Sequence, residues 1–305
     1  MHYGLQWSGA PGEVVCSFDI SPIPNACYAY NFGSQSVQVA IESLSTKRLA
    51  SYNANALKTL NTHAHETLVV QLKTLGYDFV EWFLTPLQMG IPNDRGRYFL
   101  TARKVRERSD EGTVIDVPEL HLRTAWPGGG KPPRPVEEFL EEDDDGELVR
   151  TYKMPDAFVR RRQVLSDNVV VTGKSTRTAC FTKAYGHHGR GAGSYLQTKG
   201  FDDPIGLDEP ATAVDRLGLR YFTPTEIARL HAVPIDAKAP RPPRPTAHSF
   251  SFPPDLSLAQ KWRVLGNSMN VAVVGNLMRV LFSKEAWNEI KAFEREKGLQ
   301  SHYCD

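Results

Sequence analysis

Glu13-Val14-Val15-Cys16-Ser17-Phe18-Asp19-Ile20-Ser21-Pro22-Ile23-Pro24-Asn25-Ala26-Cys27-Tyr28-Ala29-Tyr30-Asn31-Phe32 reads as a short buried strand ending in an acid, then a turn, then a helix. A strand that feeds directly into a helix is the repeating unit of an α/β sheet. Downstream, Ala56 to Leu75 carries apolar residues at helical spacing, with Leu68, Leu72 and Leu75 on one face and Gly76 where a C-cap belongs. Tyr77–Leu84 and Arg97–Thr101 read as strands flanking the turn Gly90-Ile91-Pro92-Asn93-Asp94, which predicts an antiparallel pair at one edge of the sheet.

Toward the C-terminus, Arg216 to Leu230 reads as helical, with a start at Thr223-Pro224-Thr225-Glu226 where Glu226 can close a capping box with Thr223. Asn270 to Phe282 is a strongly apolar helix. Between the two halves the character changes. Trp126-Pro127-Gly128-Gly129-Gly130-Lys131-Pro132-Pro133-Arg134-Pro135 lacks the donors and stiffness for regular structure. The acidic run Glu137 to Glu147 reads as a solvated face or mobile segment, and Pro240-Arg241-Pro242-Pro243-Arg244-Pro245 as a surface loop. The plan predicted is a doubly wound sheet domain built from both chain ends, residues 1–103 and 215–305, with residues 104–214 forming a linker and a smaller lobe.

At 305 residues and 41% hydrophobic content the chain can bury a core. Its 36 lysines and arginines against 35 acids leave a net charge of +1, so any contact with nucleic acid must come from local patches. Four cysteines without metal spacing or a disulfide pattern, and no charged-then-apolar leader, fit a reducing compartment, cytoplasm or nucleus. No apolar run approaches the roughly 18 residues of a membrane span. His187-His188 is too closely spaced to furnish one tetrahedral zinc site, so no metal is expected.

Two separated stretches carry the most specific signal. Cys180-Phe181-Thr182-Lys183-Ala184-Tyr185-Gly186 and Leu265-Gly266-Asn267-Ser268-Met269-Asn270-Val271 resemble signatures of the tRNA cytosine-C5 methyltransferases, the RNA-acting branch of the DNA cytosine-methyltransferase superfamily. Met1-His2-Tyr3-Gly4-Leu5 resembles the helix start that follows the family's glycine-rich cofactor loop; alone it is an ordinary helix start. The resemblance implies a Rossmann-like class I fold dependent on S-adenosylmethionine, with a smaller target-recognition lobe. It also implies tRNA as partner, with DNA as the superfamily's other substrate.

Carried over residue by residue, the resemblance places Asp19 and Ile20 against the ribose and adenine of the cofactor, although an acid at a strand end also serves as a cap or turn residue. Asn267 and Ser268 match the motif that completes the methionine end of that pocket, and either also suits a helix cap. Pro92-Asn93-Asp94-Arg95-Gly96-Arg97 resembles the segment with two arginines one residue apart. On a strand such residues share a side, so Arg95 and Arg97 are expected to face the active-site cleft and polarise the cytosine. In the recognition block, Phe181 and Tyr185 are expected to stack on an unpaired base, while Lys183, Arg190 and Lys199 meet phosphates beside Cys180 and Thr182.

What the chain lacks bears on the chemistry. The family carries a Pro-Pro-Cys-Gln-Pro-like nucleophile loop and a Glu-Asn-Val-like segment; residues 33–75 hold neither, and none of Cys16, Cys27, Cys180 and Cys304 follows a proline. A thiolate adding to pyrimidine C6 is what makes C5 nucleophilic enough to accept a methyl group. A strand–helix–strand crossover needs about 30 residues, so the stretch Ile20 to Gly76 is too short for the central strands, several of which are expected to be missing. Two readings follow: a cytosine-C5 methyltransferase, or a shortened homologue that binds RNA without turnover.

Overall fold

The computed structural model describes residues 2–14, 17, 19–39, 57–58, 69–70, 72–73, 75–104, 122–156, 170–187, 191–202, 210–241 and 249–296. In chain order the elements used below are helices α1 (His2–Ser8) and α2 (Pro22–Phe32), then strands β1 (Leu57–Lys58), β2 (Tyr77–Leu84), β3 (Arg97–Lys104) and β4 (Leu122–Arg123). They continue with α3 (Glu147–Thr151), β5 (Val170–Val171), β6 (Tyr195–Gln197), α4 (Pro210–Leu217), β7 (Leu219–Tyr221), α5 (Pro224–Leu230), α6 (Leu258–Asn267), α7 (Val271–Phe282) and α8 (Lys284–Glu296).

The antiparallel pair read from the sequence is present over its full length, from Tyr77 opposite Lys104 to Leu84 opposite Arg97. It is not an edge pair. β1 adds antiparallel to β3 and β4 parallel to β2, giving the order β1-β3-β2-β4. The inward residues Val80, Trp82, Leu84 and Phe99 meet Val273, Val274, Leu277 and Leu281 of α7 and Trp287 and Ile290 of α8. Fully burying a large apolar side chain contributes about 1.5–3 kcal/mol, so this layer fixes α7 against the sheet. Helix α1 crosses α7 at close quarters, because a Cβ at Gly4 would lie 2.6 Å from Val274 Cγ1 and one at Gly275 2.4 Å from the Trp7 ring.

The second sheet has the order β5-β6-β7, parallel then antiparallel. It joins a core that includes Phe139, Phe181, Tyr185, Tyr195, Phe222 and Trp262. The helical reading of Arg216 to Leu230 is corrected here. Gly218 turns the chain with φ of 58°, and Leu219–Tyr221 is extended, all three buried, before α5 begins. The capping box at that start is formed: Thr223 Oγ1 accepts from Glu226 N at 3.1 Å, and Glu226 Oε2 accepts from Thr223 N at 2.9 Å.

The acidic run is the solvated face expected at Glu137, Glu138, Glu142, Asp144, Asp145 and Glu147, all exposed, while Glu141 and Asp143 are built into the fold. Glu226 Oε1 accepts from Glu141 N at 3.1 Å, Glu141 accepts from the Thr223 hydroxyl, and Asp143 caps α3 through Leu148 N and Val149 N. Glu226 also holds Arg220 in a buried two-pronged pair at 2.7 and 2.8 Å. The turn expected without regular structure contains a short 3-10 segment, Pro127–Gly129. Of the opening strand, Val15, Cys16 and Phe18 lie outside the described residues; Ser17 and Asp19 pair by backbone hydrogen bonds with Val37 but form no strand. Most of the helix read over Ala56 to Leu75 likewise lies outside, while Gly76 ends its last described turn with φ of 76° and N–H donated to Lys73 O. Among the described residues no helix is long and apolar enough to cross a membrane.

Candidate active site

The loop before β3 lies along the recognition block. Thr178 N donates to Pro92 O and Asp94 N donates to Thr178 O, each at 2.9 Å, and Arg177 pairs with the Asp94 carboxylate. This lacing sets Arg95, 5% exposed, between two distant parts of the chain. Its Nη1 donates to Phe181 O at 2.7 Å and to Cys180 Sγ at 3.1 Å. Its Nη2 donates to Gly266 O at 2.9 Å and to Ser268 O at 2.7 Å. Burial lowers the Arg95 pKa from its ordinary value, Cys180 opposes that shift, and Arg97 adds to it. The planar fork of donors is suited to this task and a lysine is not.

Arg97, the first residue of β3, is half-buried and directs Nη2 to Cys180 Sγ at 3.6 Å. Both guanidiniums therefore converge on one thiol, although Arg95 precedes the strand and its side is set by the loop rather than by strand alternation. Arg95 is committed to protein carbonyls, so polarising a cytosine falls to Arg97 alone if either residue does it. Cys27, the other described thiol, is buried, and that burial with Asp255 pushes its pKa up to about 11.

Phe181 and Tyr185 are each 1% exposed, which corrects the expectation that they stack on a base. They meet edge to face at 5.1 Å, and Tyr185 packs likewise on Tyr221 and Trp262. The Tyr185 hydroxyl donates to Ser194 O and accepts from Phe222 N. Their rings are thus consumed in tying the block to β6 and the start of α5. Lys183 and Lys199 are exposed, Thr182 and Cys180 are half-buried, and Arg190 lies outside the described residues.

The residues read for the cofactor hold mixed positions. Asp19 Oδ1 accepts from Ser21 N at 2.8 Å, the capping alternative, while Oδ2 has no partner among the described residues. Ile20 is 65% exposed. Asn267 ends α6 and is exposed; Ser268 Oγ donates back to Leu265 O. The cap of α7 is neither of these but Asn270, whose Oδ1 accepts from Ala272 N and Val273 N while Nδ2 donates to Leu230 O.

Sequence reasoning missed His231 and Asn93. Both are 0% exposed, and His231 Nε2 and both polar atoms of the Asn93 amide lack partners among the described residues, as does Arg95 Nε. Burial foremost, then the charge of Arg95, lowers the His231 pKa to about 3. A single histidine closing a short helix carries no pattern that would have revealed it. Buried polar atoms without partners are uncommon in folded proteins, and of these the His231 ring lies within the field of the Arg95 guanidinium.

A family model described as C-5 cytosine-specific DNA methylase matches residues 40–283. The chain is 27% identical over 369 residues to a DNA (cytosine-5)-methyltransferase of Dictyostelium discoideum, covering 93% of this chain and 91% of the relative. It is 25% identical over 347 residues to the tRNA (cytosine(38)-C(5))-methyltransferase of Spodoptera frugiperda, with coverages of 92% and 96%. Similarity to the human protein of the same name is 24% over 396 residues, with coverages of 92% and 96%. These alignments are longer than the 305 residues here, so gaps open within this chain. Among solved structures, a Spodoptera frugiperda DNMT2 mutant superposes with a TM-score of 0.71 at 23% identity, covering 92% of this chain and 96% of that one. The Schizosaccharomyces pombe Dnmt2 methyltransferase gives 0.69 at 23% identity, with coverages of 92% and 94%. Both likenesses show the fold, Rossmann-like and mixed α/β.

Proposed function

The chain belongs to the C-5 cytosine-specific DNA methylase family, and from that membership we propose that it is a tRNA-directed cytosine-C5 methyltransferase that takes its methyl group from S-adenosylmethionine. The observation that carries the reading is the Arg95 fork. It clamps Phe181 O of the recognition block onto Gly266 O and Ser268 O of the last motif, keeping both features of the RNA-acting branch in one site. Several relatives are named for methylation of a tRNA cytosine.

When bound, S-adenosylmethionine supplies the electrophilic methyl group. Asp19 and Ile20 suit its nucleoside end, because Asp19 keeps one carboxylate oxygen free of partners among the described residues and Ile20 offers an exposed apolar surface. Asn267, exposed at the end of α6, is the side chain left to meet the amino-acid end. On the RNA side, Lys183 and Lys199 stand in solvent where they can meet phosphates. Cys180 is the thiol on which the two guanidiniums converge, accepting from Arg95 Nη1 at 3.1 Å and from Arg97 Nη2 at 3.6 Å. If covalent addition to cytosine occurs in this site, Cys180, the described thiol that Arg95 and Arg97 contact, is the candidate for it, although no proline precedes it as in the family's nucleophile loop.

A second reading, RNA binding without turnover, is favoured by one observation: neither a Pro-Cys nor a Glu-Asn-Val segment exists in the chain. Incubating the protein with tRNA and methyl-labelled S-adenosylmethionine, and in parallel with tRNA carrying 5-fluorocytosine, separates the two. Label at cytosine C5, with a denaturation-resistant adduct lost in Cys180→Ser, is the result expected of the enzyme. Salt-dependent tRNA binding with neither label nor adduct selects the second reading, and no tRNA binding at all removes both.

A further inference from the structure

A cleft of about 480 Å³ opens at the Trp126–Lys131 turn, and none of the residues assigned above to cofactor, thiol or recognition block lines it. Its walls carry three cations, Lys131, Arg241 and Arg279, two indoles, Trp7 and Trp126, and the amide of Gln88. No carboxylate lines it, and none pairs with these cations among the described residues. The size lies within the range of pockets that take small organic ligands.

The walls are held in place. The turn is laid on the segment before the Arg95 loop: Lys131 N donates to Gln88 O at 2.9 Å and Arg134 N donates to Gly90 O at 3.1 Å. Gly130 sits at φ of 72°, and a Cβ there would lie 2.5 Å from Gln88 O, so the contact admits only glycine. Trp126 is stacked on the buried Trp82 at 5.8 Å, and Trp7 is pressed against Gly275. Gln88 Nε2 donates to Thr124 O at 2.7 Å, which leaves Oε1 as a buried acceptor without a partner among the described residues.

Uncompensated cations call for an anion, flat indoles for a planar ring, and an orphaned acceptor for an N–H or O–H donor. We propose that this cleft takes one nucleotide of a single RNA strand, its phosphate on Lys131, Arg241 and Arg279, its base against Trp126 or Trp7, and a base or ribose donor on Gln88 Oε1. Phosphate pairing and aromatic stacking are the two forces that bind single strands. The identity of the strand rests on the tRNA reading above, with the cleft adding a second contact outside the site of chemistry.

The test uses the full chain and a short fluorescein-labelled oligoribonucleotide, read by anisotropy over a salt series, with AMP and inorganic phosphate as separate arms. The expected result is binding that quenches tryptophan emission and weakens at least about tenfold in the double variant Lys131→Glu, Arg279→Glu, with the salt slope falling by roughly 0.7 per lost contact. Both side chains are exposed, so the fold should survive their reversal. Gln88→Leu should weaken binding while leaving the salt slope unchanged. Equal affinity of wild type and double variant overturns the proposal, and so does AMP binding that gains nothing from the strand. If tRNA affinity falls with Lys183→Ala but not with the double variant, the cleft is excluded while the tRNA reading stands. If neither oligonucleotide nor tRNA binds, both fall.

Discussion

Arg95 and Ser268, 173 residues apart, are joined by a 2.7 Å hydrogen bond from Nη2 to the Ser268 carbonyl. The same guanidinium reaches Phe181 O and Gly266 O, so one side chain replaces the missing partners of three backbone groups where a loop, a recognition block and a helix end meet. Hydrogen bonds from a charged group contribute about 1.5–3 kcal/mol, and a buried acceptor left unpaired costs about 1–3 kcal/mol. Arg95→Ala should therefore destabilise the protein by about 3 kcal/mol or more, and Arg95→Lys by nearly as much, because an ammonium cannot span the fork. Urea denaturation followed by far-UV circular dichroism gives the answer. A midpoint unchanged in Arg95→Lys would show that the clamp holds nothing, and would return Arg95 to a purely substrate-facing role.

The last motif requires glycine for a reason unrelated to cofactor. A Cβ at Gly266 would lie 2.2 Å from Thr182 C and 2.3 Å from Lys183 N, both main-chain atoms that cannot swing aside. Gly266→Ala must push α6 away from the recognition block, lengthening the Arg95 bonds as it does. Overpacking of this kind costs about 1–3 kcal/mol. Thermal melting of Gly266→Ala should show that loss, whereas Asn267→Ala, one residue along and exposed, should melt like wild type. Equal melting of the two variants would contradict the close approach.

What was legible in the sequence follows the range of the interactions concerned. The Thr223–Glu226 capping box and the antiparallel pairing of β2 with β3 rest on neighbours or on one connecting loop, and both are present, whereas the pair's place inside the sheet rather than at its edge depends on distant β1 and β4. Within the largely solvated acidic run, the structural role of Glu141 was not legible because its partners, Glu226 and Thr223, lie 82 to 85 residues away. Phe181 and Tyr185 were misread for the converse reason: family resemblance locates a block without saying which of its side chains turn inward. Burial is a property of the packed whole, and β6, β7 and α6 close over those rings. His231 gave no signal, since its significance depends on Arg95 reaching it from the other half of the chain.

Buried rings and an exposed amine make separable predictions for the recognition block. Tyr185→Phe removes the donor to Ser194 O and the acceptor of Phe222 N, both buried, at a cost of about 1–3 kcal/mol. Its tRNA affinity, measured well below the melting temperature, should match wild type. Lys183→Ala should leave stability unchanged while lowering the slope of log affinity against log salt by roughly 0.7. Anisotropy with labelled tRNA, paired with thermal melts, reads both quantities. Should Tyr185→Phe weaken tRNA binding with no loss of stability, the hydroxyl touches RNA and the packed arrangement is not the one that binds.

Acid should unfold the protein through His231. Its Nδ1 lies 2.9 Å from Ile227 O, and a carbonyl only accepts, so the neutral ring carries its proton on Nδ1 and leaves Nε2 bare and without a partner among the described residues. Protonating Nε2 would bury a second cation near Arg95, which is why burial and that charge lower the pKa from 6.5 to about 3. The unfolded chain thus binds a proton that the folded chain refuses throughout that window. Stability from this residue is complete above the unfolded pKa and declines as pH falls from 6.5 toward about 3. By about pH 5 the loss amounts to about 2 kcal/mol, at 1.36 kcal/mol per pH unit. His231→Gln keeps a donor for Ile227 O but cannot be charged, so its urea midpoint should fall less than that of wild type between about pH 7 and about pH 5. Parallel declines in the two proteins would mean that His231 takes up its proton without leaving the core, and that other groups set the acid limit.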